Sequence, residues 1–87
     1  MAGQGSAAKR HRQSERRRVR NRAIRSRVRS SIRSFLAAVE AKKQDSASEQ
    51  LKKVTQLLDS ASGKGVYHEN TVARTKSRLT RKLNAMQ

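Results

Sequence analysis

Cysteine and proline are absent from this chain of 87 residues, tryptophan is absent too, and Phe35 and Tyr67 are its only aromatic residues. Without cysteine there are no disulfides, no thiolate metal sites and no thiol nucleophile. Without proline, and with glycine only at positions 3, 5, 63 and 65, nothing interrupts a helix across the first half of the chain. Two aromatics leave almost no stacking platforms of the kind that read single-stranded bases. The longest large-residue apolar run, Phe35 to Val39, is too short for a membrane span or a signal peptide. Nor does the basic N-terminal stretch carry the apolar bulk of a membrane-surface helix, since Val19 is its one larger apolar residue between Lys9 and Arg22.

Acidic residues are equally scarce: six Asp and Glu stand against 22 Lys and Arg, for a formal charge of +16. Enzymatic chemistry has little to work with. His11 and His68 lie in basic surroundings with no paired carboxylates to complete a ligand set or an acid–base couple. Gly63-Lys64-Gly65 is not a phosphate-binding loop, because that motif needs glycine where Leu58 stands and serine or threonine where Gly65 stands. The expectation is a protein that is not an enzyme, takes no cofactor, metal or small-molecule substrate, and binds a polyanion.

What the chain has in abundance is arginine. Lys9, Arg10, Arg12, Arg16, Arg17, Arg18, Arg20, Arg22, Arg25, Arg27, Arg29 and Arg33 share one stretch with a single acid, Glu15. Guanidinium forks favour paired contacts to phosphate oxygens over diffuse attraction, so nucleic acid is the first partner to consider. Within the stretch, Ile24, Val28, Ile32, Phe35 and Val39 recur at helical spacing on one face. Extended backwards, the same row reads Asn21, Arg17, Ser14 and Arg10, a face that protein cannot bury. Residues 7–21 are therefore expected to be largely unstructured in the free protein and helical on a polyanion, since an isolated helix of that length is marginal in water.

The spacing predicts one domain, 1–87, of three helices. Residues 1–6 form a loose terminus with Ser6 as N-cap, and helix one covers 7–43, with about 35 uninterrupted residues reaching about 50 Å. Lys42 and Lys43 suit the negative end of its dipole, and Gln44-Asp45 forms a turn. A capping box, Ser46-Ala47-Ser48-Glu49, opens helix two at 46–62, whose row Ala47, Leu51, Val54, Leu58 and Ala61, with Leu57 beside it, ends at Gly63 and Gly65. The balanced charges of this helix mark it as structural. Helix three, 68–86, is capped near His68 to Asn70 and carries Val72, Leu79, Leu83 and Met86 on one row, with Lys76 snorkelling. Arg74, Arg78 and Arg81 form a second basic stripe on its opposite side. Short connections and unequal lengths give an all-α, three-helix up-down-up bundle with a long, projecting basic N-terminal helix. Its expected core is Ile24, Val28, Ile32, Phe35, Val39, Leu51, Val54, Leu58, Leu79 and Leu83.

Lys9-Arg10, Glu15-Arg16-Arg17 with Arg20-Asn21, Ser26-Arg27-Val28, and Lys64-Gly65-Val66-Tyr67-His68 followed by Asn70-Thr71, Ala73-Arg74 and Lys76-Ser77-Arg78-Leu79 resemble the S-twenty family of bacterial small-subunit ribosomal proteins. The resemblance spans almost the whole chain. It implies a three-helix bundle that binds small-subunit ribosomal RNA directly, early in subunit assembly and without catalysis. It also implies a cytoplasmic place in the small subunit beside neighbouring ribosomal proteins, with no membrane and no homo-oligomer. The residues expected to meet RNA are the twelve basic residues of the N-terminal strip together with Asn21, Lys64, His68, Arg74, Lys76, Arg78 and Arg81. On a helical wheel Arg18, Arg22, Arg25, Arg29 and Arg33 flank the apolar row of helix one on one side, and Arg16, Arg20 and Arg27 on the other. The alternative is a basic-helix DNA-binding protein, because Asn21, Ala23, Ser26-Arg27 and Arg29 echo a basic region. A zipper would want leucine at Ala38, Asp45 and Lys52, and none is there.

Overall fold

The computed structural model describes residues 2–86, and the side chains of 7–86. Three helices follow one another: α1 (Ala2–Glu40), α2 (Gln44–Gly63) and α3 (Glu69–Asn84), with no strand among the described residues. At about 1.5 Å per residue the 39 residues of α1 extend about 58 Å, whereas α2 and α3 reach only about 30 and 24 Å. The molecule is correspondingly elongated, 65 × 21 × 13 Å. Every residue from Ala7 to Arg20 except Glu15 is exposed, so the first half of α1 projects beyond the bundle as expected.

Its start differs from the expectation. α1 begins at Ala2, which places Ser6 inside the helix instead of at its N-cap. Glycine at 3 and 5 costs helix stability without breaking hydrogen bonds, and no proline forces a boundary there. Met1 lies outside the described residues.

The α1–α2 connection also corrects the reading from spacing. The Lys43 N–H donates to the Ala38 carbonyl and the Lys42 N–H to the Val39 carbonyl, both at 3.0 Å, while Lys42 adopts φ +59°. This is a Schellman closure with a lysine at the left-handed position where glycine is usual. Lys43, the last residue of that closure, is at once the N-cap of α2, its carbonyl accepting from the Ala47 N–H at 2.9 Å. α1 therefore ends at Glu40 and α2 starts at Gln44, so the turn occupies 41–43 and not Gln44-Asp45. The expected capping box of Ser46 and Glu49 does not form: the helix is already under way two residues earlier, and α2 has no side-chain cap.

The far end of α2 closes in the same way. The Val66 N–H donates to the Ala61 carbonyl (2.9 Å) and the Gly65 N–H to the Ser62 carbonyl (3.0 Å), with Gly65 at φ +76°. Only Gly65 uses glycine's freedom; Gly63 is the last helical residue of α2. Val66 and Ala61 are both buried, the apolar pair that accompanies such a closure. α3 then opens at His68, whose Nδ1 accepts from the Asn70 N–H at 3.1 Å.

Val28, Phe35, Ala38, Ala47, Val54, Leu58, Val72 and Leu79 form one buried cluster, with Phe35 and Val54 its largest wholly enclosed side chains. Of the expected core, Ile32, Val39, Leu51 and Leu83 pack on it half-buried, and Ile24 is half-buried outside it. In their place stand alanines. Ala38 and Ala47 flank the three-residue turn, where the two helix backbones are necessarily close and only small side chains fit between them. α2 is the middle element, packing extensively on α1 and less so on α3. α1 and α3 touch little, which leaves a groove between them lined by Ile32, Leu36, Thr75, Arg78, Leu79 and Lys82. Lys76 reaches across to pair with Asp59 of α2. Among the described residues no helix is long and apolar enough to cross a membrane.

Two outcomes follow. A non-glycine residue in the left-handed region costs roughly 1–2 kcal/mol, partly offset in a glycine variant by its freer unfolded chain. Lys42→Gly is therefore expected to raise stability by about 0.5–1 kcal/mol in urea unfolding, and a loss would contradict the closure described. Amide exchange across 7–20 in the isolated protein should be near that of an unstructured peptide, while Phe35 and Val54 amides exchange only on global unfolding. Strong protection across 7–20 without RNA would show helix propensity prevailing over charge repulsion.

Candidate nucleic-acid interface

Helical spacing turns the arginine-rich sequence into rows. Arg18, Arg22, Arg25 and Arg29 advance in steps of four, three and four and, with Ser26, line a shallow cleft along one flank of α1. Four guanidinium groups thus stand along roughly 16 Å of helix axis. Arg22, Arg25 and Arg29 make no hydrogen bond or ion pair with any described residue and are exposed. Arg18 pairs with Glu15 at 2.9 Å, an exposed contact three residues apart that a phosphate can displace at little cost. Arg33 continues the flank, exposed.

The opposite flank is engaged differently. Arg20 makes long contacts of 3.4 Å to the Asn21 side-chain oxygen and to the Lys64 carbonyl, leaning toward the α2–α3 connection. Asn21 is half-buried there, whereas Arg16 and Arg27 are exposed. Farther out, Lys9, Arg10, Arg12 and Arg17 are exposed on the projecting helix, spread over somewhat less than half of its circumference.

On the remaining elements the sites separate. Arg74, Arg78 and Arg81 are exposed on α3, with Arg78 at the rim of the α1–α3 groove. Lys64 is exposed in the connection. His68 engages Nδ1 in capping α3, and Lys76 has its charge met by Asp59. Spacing missed Lys82, which shares the groove rim with Arg78. Its signal was available, since Arg74, Arg78 and Lys82 follow one another at four-residue steps. Helix α2 keeps its acids and lysines interspersed and forms no comparable cationic row. Among the described residues no group of His, Asp and Glu could hold a metal ion.

A sequence model of the family described as Ribosomal protein S20 matches residues 2–84. The chain belongs to the ribosomal protein S20 family. Small ribosomal subunit protein bS20 of Syntrophus aciditrophicus is 49% identical over 85 residues, covering 98% of this chain and 96% of that protein. The bS20 proteins of Mycolicibacterium smegmatis and Corynebacterium glutamicum (strain R) are 45% and 43% identical over 86 residues each, covering 99% of this chain and nearly all of theirs. Membership in this S20 family leaves the DNA-binding alternative without support. The fold agrees, because α1 turns back at Glu40 and has no coiled coil beyond its basic region.

Neutralising Arg22, Arg25 and Arg29 together as glutamines should weaken binding to small-subunit ribosomal RNA by several kcal/mol, from about 1.5–3 kcal/mol per charge-assisted bond less non-additivity. Thermal stability should hold or rise, since three like charges leave a +16 chain. Lys42, Lys52 and Lys53 as glutamines should leave binding nearly intact. Equal losses from both triples in filter-binding titrations would reduce the interface to unspecific net charge.

Proposed function

We propose that this S20 family member is a structural, non-enzymatic protein of the cytoplasmic small ribosomal subunit, which binds small-subunit ribosomal RNA directly and holds RNA segments together during assembly. One observation carries the mode of binding: a row of exposed arginines, of which only Arg18 has an acidic partner, runs along a helix that outreaches its own bundle by about half its length. Such a helix is costly to keep in water and is stabilised when phosphates surround it. Recognition is of RNA shape and backbone. Phe35 is enclosed in the core and Tyr67 packs against it, so neither is placed to stack on a string of bases.

Holding segments together follows from where the cations lie. The projecting half of α1, its arginine flank and the stripe on α3 are spread over a body 65 Å long. RNA segments distant in sequence can each find a cationic face. The balanced surface of α2 suits neighbouring proteins or solvent better than phosphate. No second copy of the chain is required at any of these faces.

Counterion release sets the test. With about 8 phosphates neutralised, log affinity for a small-subunit ribosomal RNA transcript should fall against log salt with a slope of about −6 to −7. A slope shallower than about −3 would show that phosphate contacts do not dominate the affinity. Comparable affinity for duplex DNA of arbitrary sequence at physiological salt would argue against recognition of RNA form.

A further inference from the structure

The arginine row of α1 does not end at Arg29. Continued at the same spacing, Arg18, Arg22, Arg25 and Arg29 lead in steps of three and four to Ile32 and Leu36, the α1 wall of the groove beside α3. The facing wall is Leu79, with Thr75 on one side and the cations Arg78 and Lys82 at the rim. No acid lines it. The groove is thus an apolar slot of about 210 Å³, open to solvent, at the end of a phosphate-sized cationic track and with two more cations at its mouth.

We propose that this groove receives one unstacked nucleotide of the bound RNA, its base between Ile32, Leu36 and Leu79 and its flanking phosphates on Arg78 and Lys82. The inference rests on the RNA-binding reading above and extends it to a single base. Ile32 and Leu36 are half-buried and offer the aliphatic faces that a base covers where an aromatic ring is lacking. Thr75 is the one uncharged polar side chain of the lining, so base identity is read weakly, by a single hydroxyl. Continuity with the arginine row and the absence of acids favour RNA over an acidic amphipathic peptide. Aligned anions arriving along α1 reach the slot without changing helix face.

The full-length chain and a small-subunit ribosomal RNA transcript provide the test. Thr75→Phe fills the slot from its edge without removing a charge or replacing the buried Leu79. It is expected to weaken binding about tenfold, within the range for one lost base-stacking contact, with the salt slope unchanged because no phosphate contact is lost. Base-reactive probing should then show one nucleotide newly exposed within an otherwise retained footprint. Wild-type affinity and an unaltered footprint for Thr75→Phe, with circular dichroism confirming its helices, would overturn the proposal. A second measurement covers a variant that fails to fold: p-benzoylphenylalanine in place of exposed Lys82 should photocrosslink to one RNA position. Crosslinks scattered over the RNA, or directed to a neighbouring protein in reconstituted subunits, would overturn it equally. Failure of the wild-type chain to bind the transcript with a steep salt slope would instead strike the underlying RNA reading, which keeps the two separable.

Discussion

Contact between α1 and α2 around Phe35 and Val54 is what a chain with sixteen excess positive charges has to set against self-repulsion. These are the largest side chains that water does not reach, and they lie on the two helices that share the most extensive interface. A domain of 87 residues has only a few kcal/mol to spare even with a well-made core. The basic residues are accordingly kept away from it: no charged or polar residue among those described is buried. Arginine rows flank the apolar face of α1 without crossing it. The apolar row and the arginine rows therefore occupy different faces of α1, and charge on one face need not disturb packing on the other.

Where two helices meet through a three-residue turn, geometry is demanding. The α1–α2 corner merges the closing motif of one helix with the N-cap of the next at Lys43, and places Lys42 in the left-handed region. Ala38 and Ala47 are buried beside it because their small side chains permit close backbones. At the other end Gly65 supplies the same backbone conformation without a Cβ. Both ends of α2 are thus tightly set, and α3 is held by its apolar row and by the Lys76–Asp59 pair. Such anchoring fixes the angle at which α3 presents Arg74, Arg78 and Arg81 relative to α1.

Division of labour along α1 is the central functional feature. From Ile24 onward its inward row is apolar and meets α2; before it, Asn21, Arg17, Ser14 and Arg10 occupy the same row, and the last three are exposed. The change of residue type on one unbroken helix separates a segment packed against protein from one left exposed. Membership in the ribosomal protein S20 family accords with this division. The exposed half of α1 extends the cations outward from the bundle that anchors it.

Helix number, order and type were legible in the sequence, because three apolar rows at helical spacing separated by short polar connections have few other solutions. The arginine flanks of α1 and the stripe on α3 were legible for the same reason, since spacing alone assigns residues to faces. Element ends were not. Ser46 and Glu49 have the right chemistry for a capping box, yet Lys43 begins the helix first, and a lysine at φ +59° carries no mark in its identity. Burial within the apolar rows was also decided in three dimensions. Ile24 sits on the same row as Val28 but beyond the packed cluster, while Ala38 and Ala47, absent from the expected core, are enclosed where helices converge. The partners taken by Lys76 and His68, and the groove that joins Ile32 and Leu36 to Arg78, Leu79 and Lys82, depend on how α3 lies against α2. The sequence by itself determined which residues share a helix face, a property of local periodicity; which faces meet, and what space they leave, only tertiary packing could decide, because it sums contacts between residues far apart in the chain.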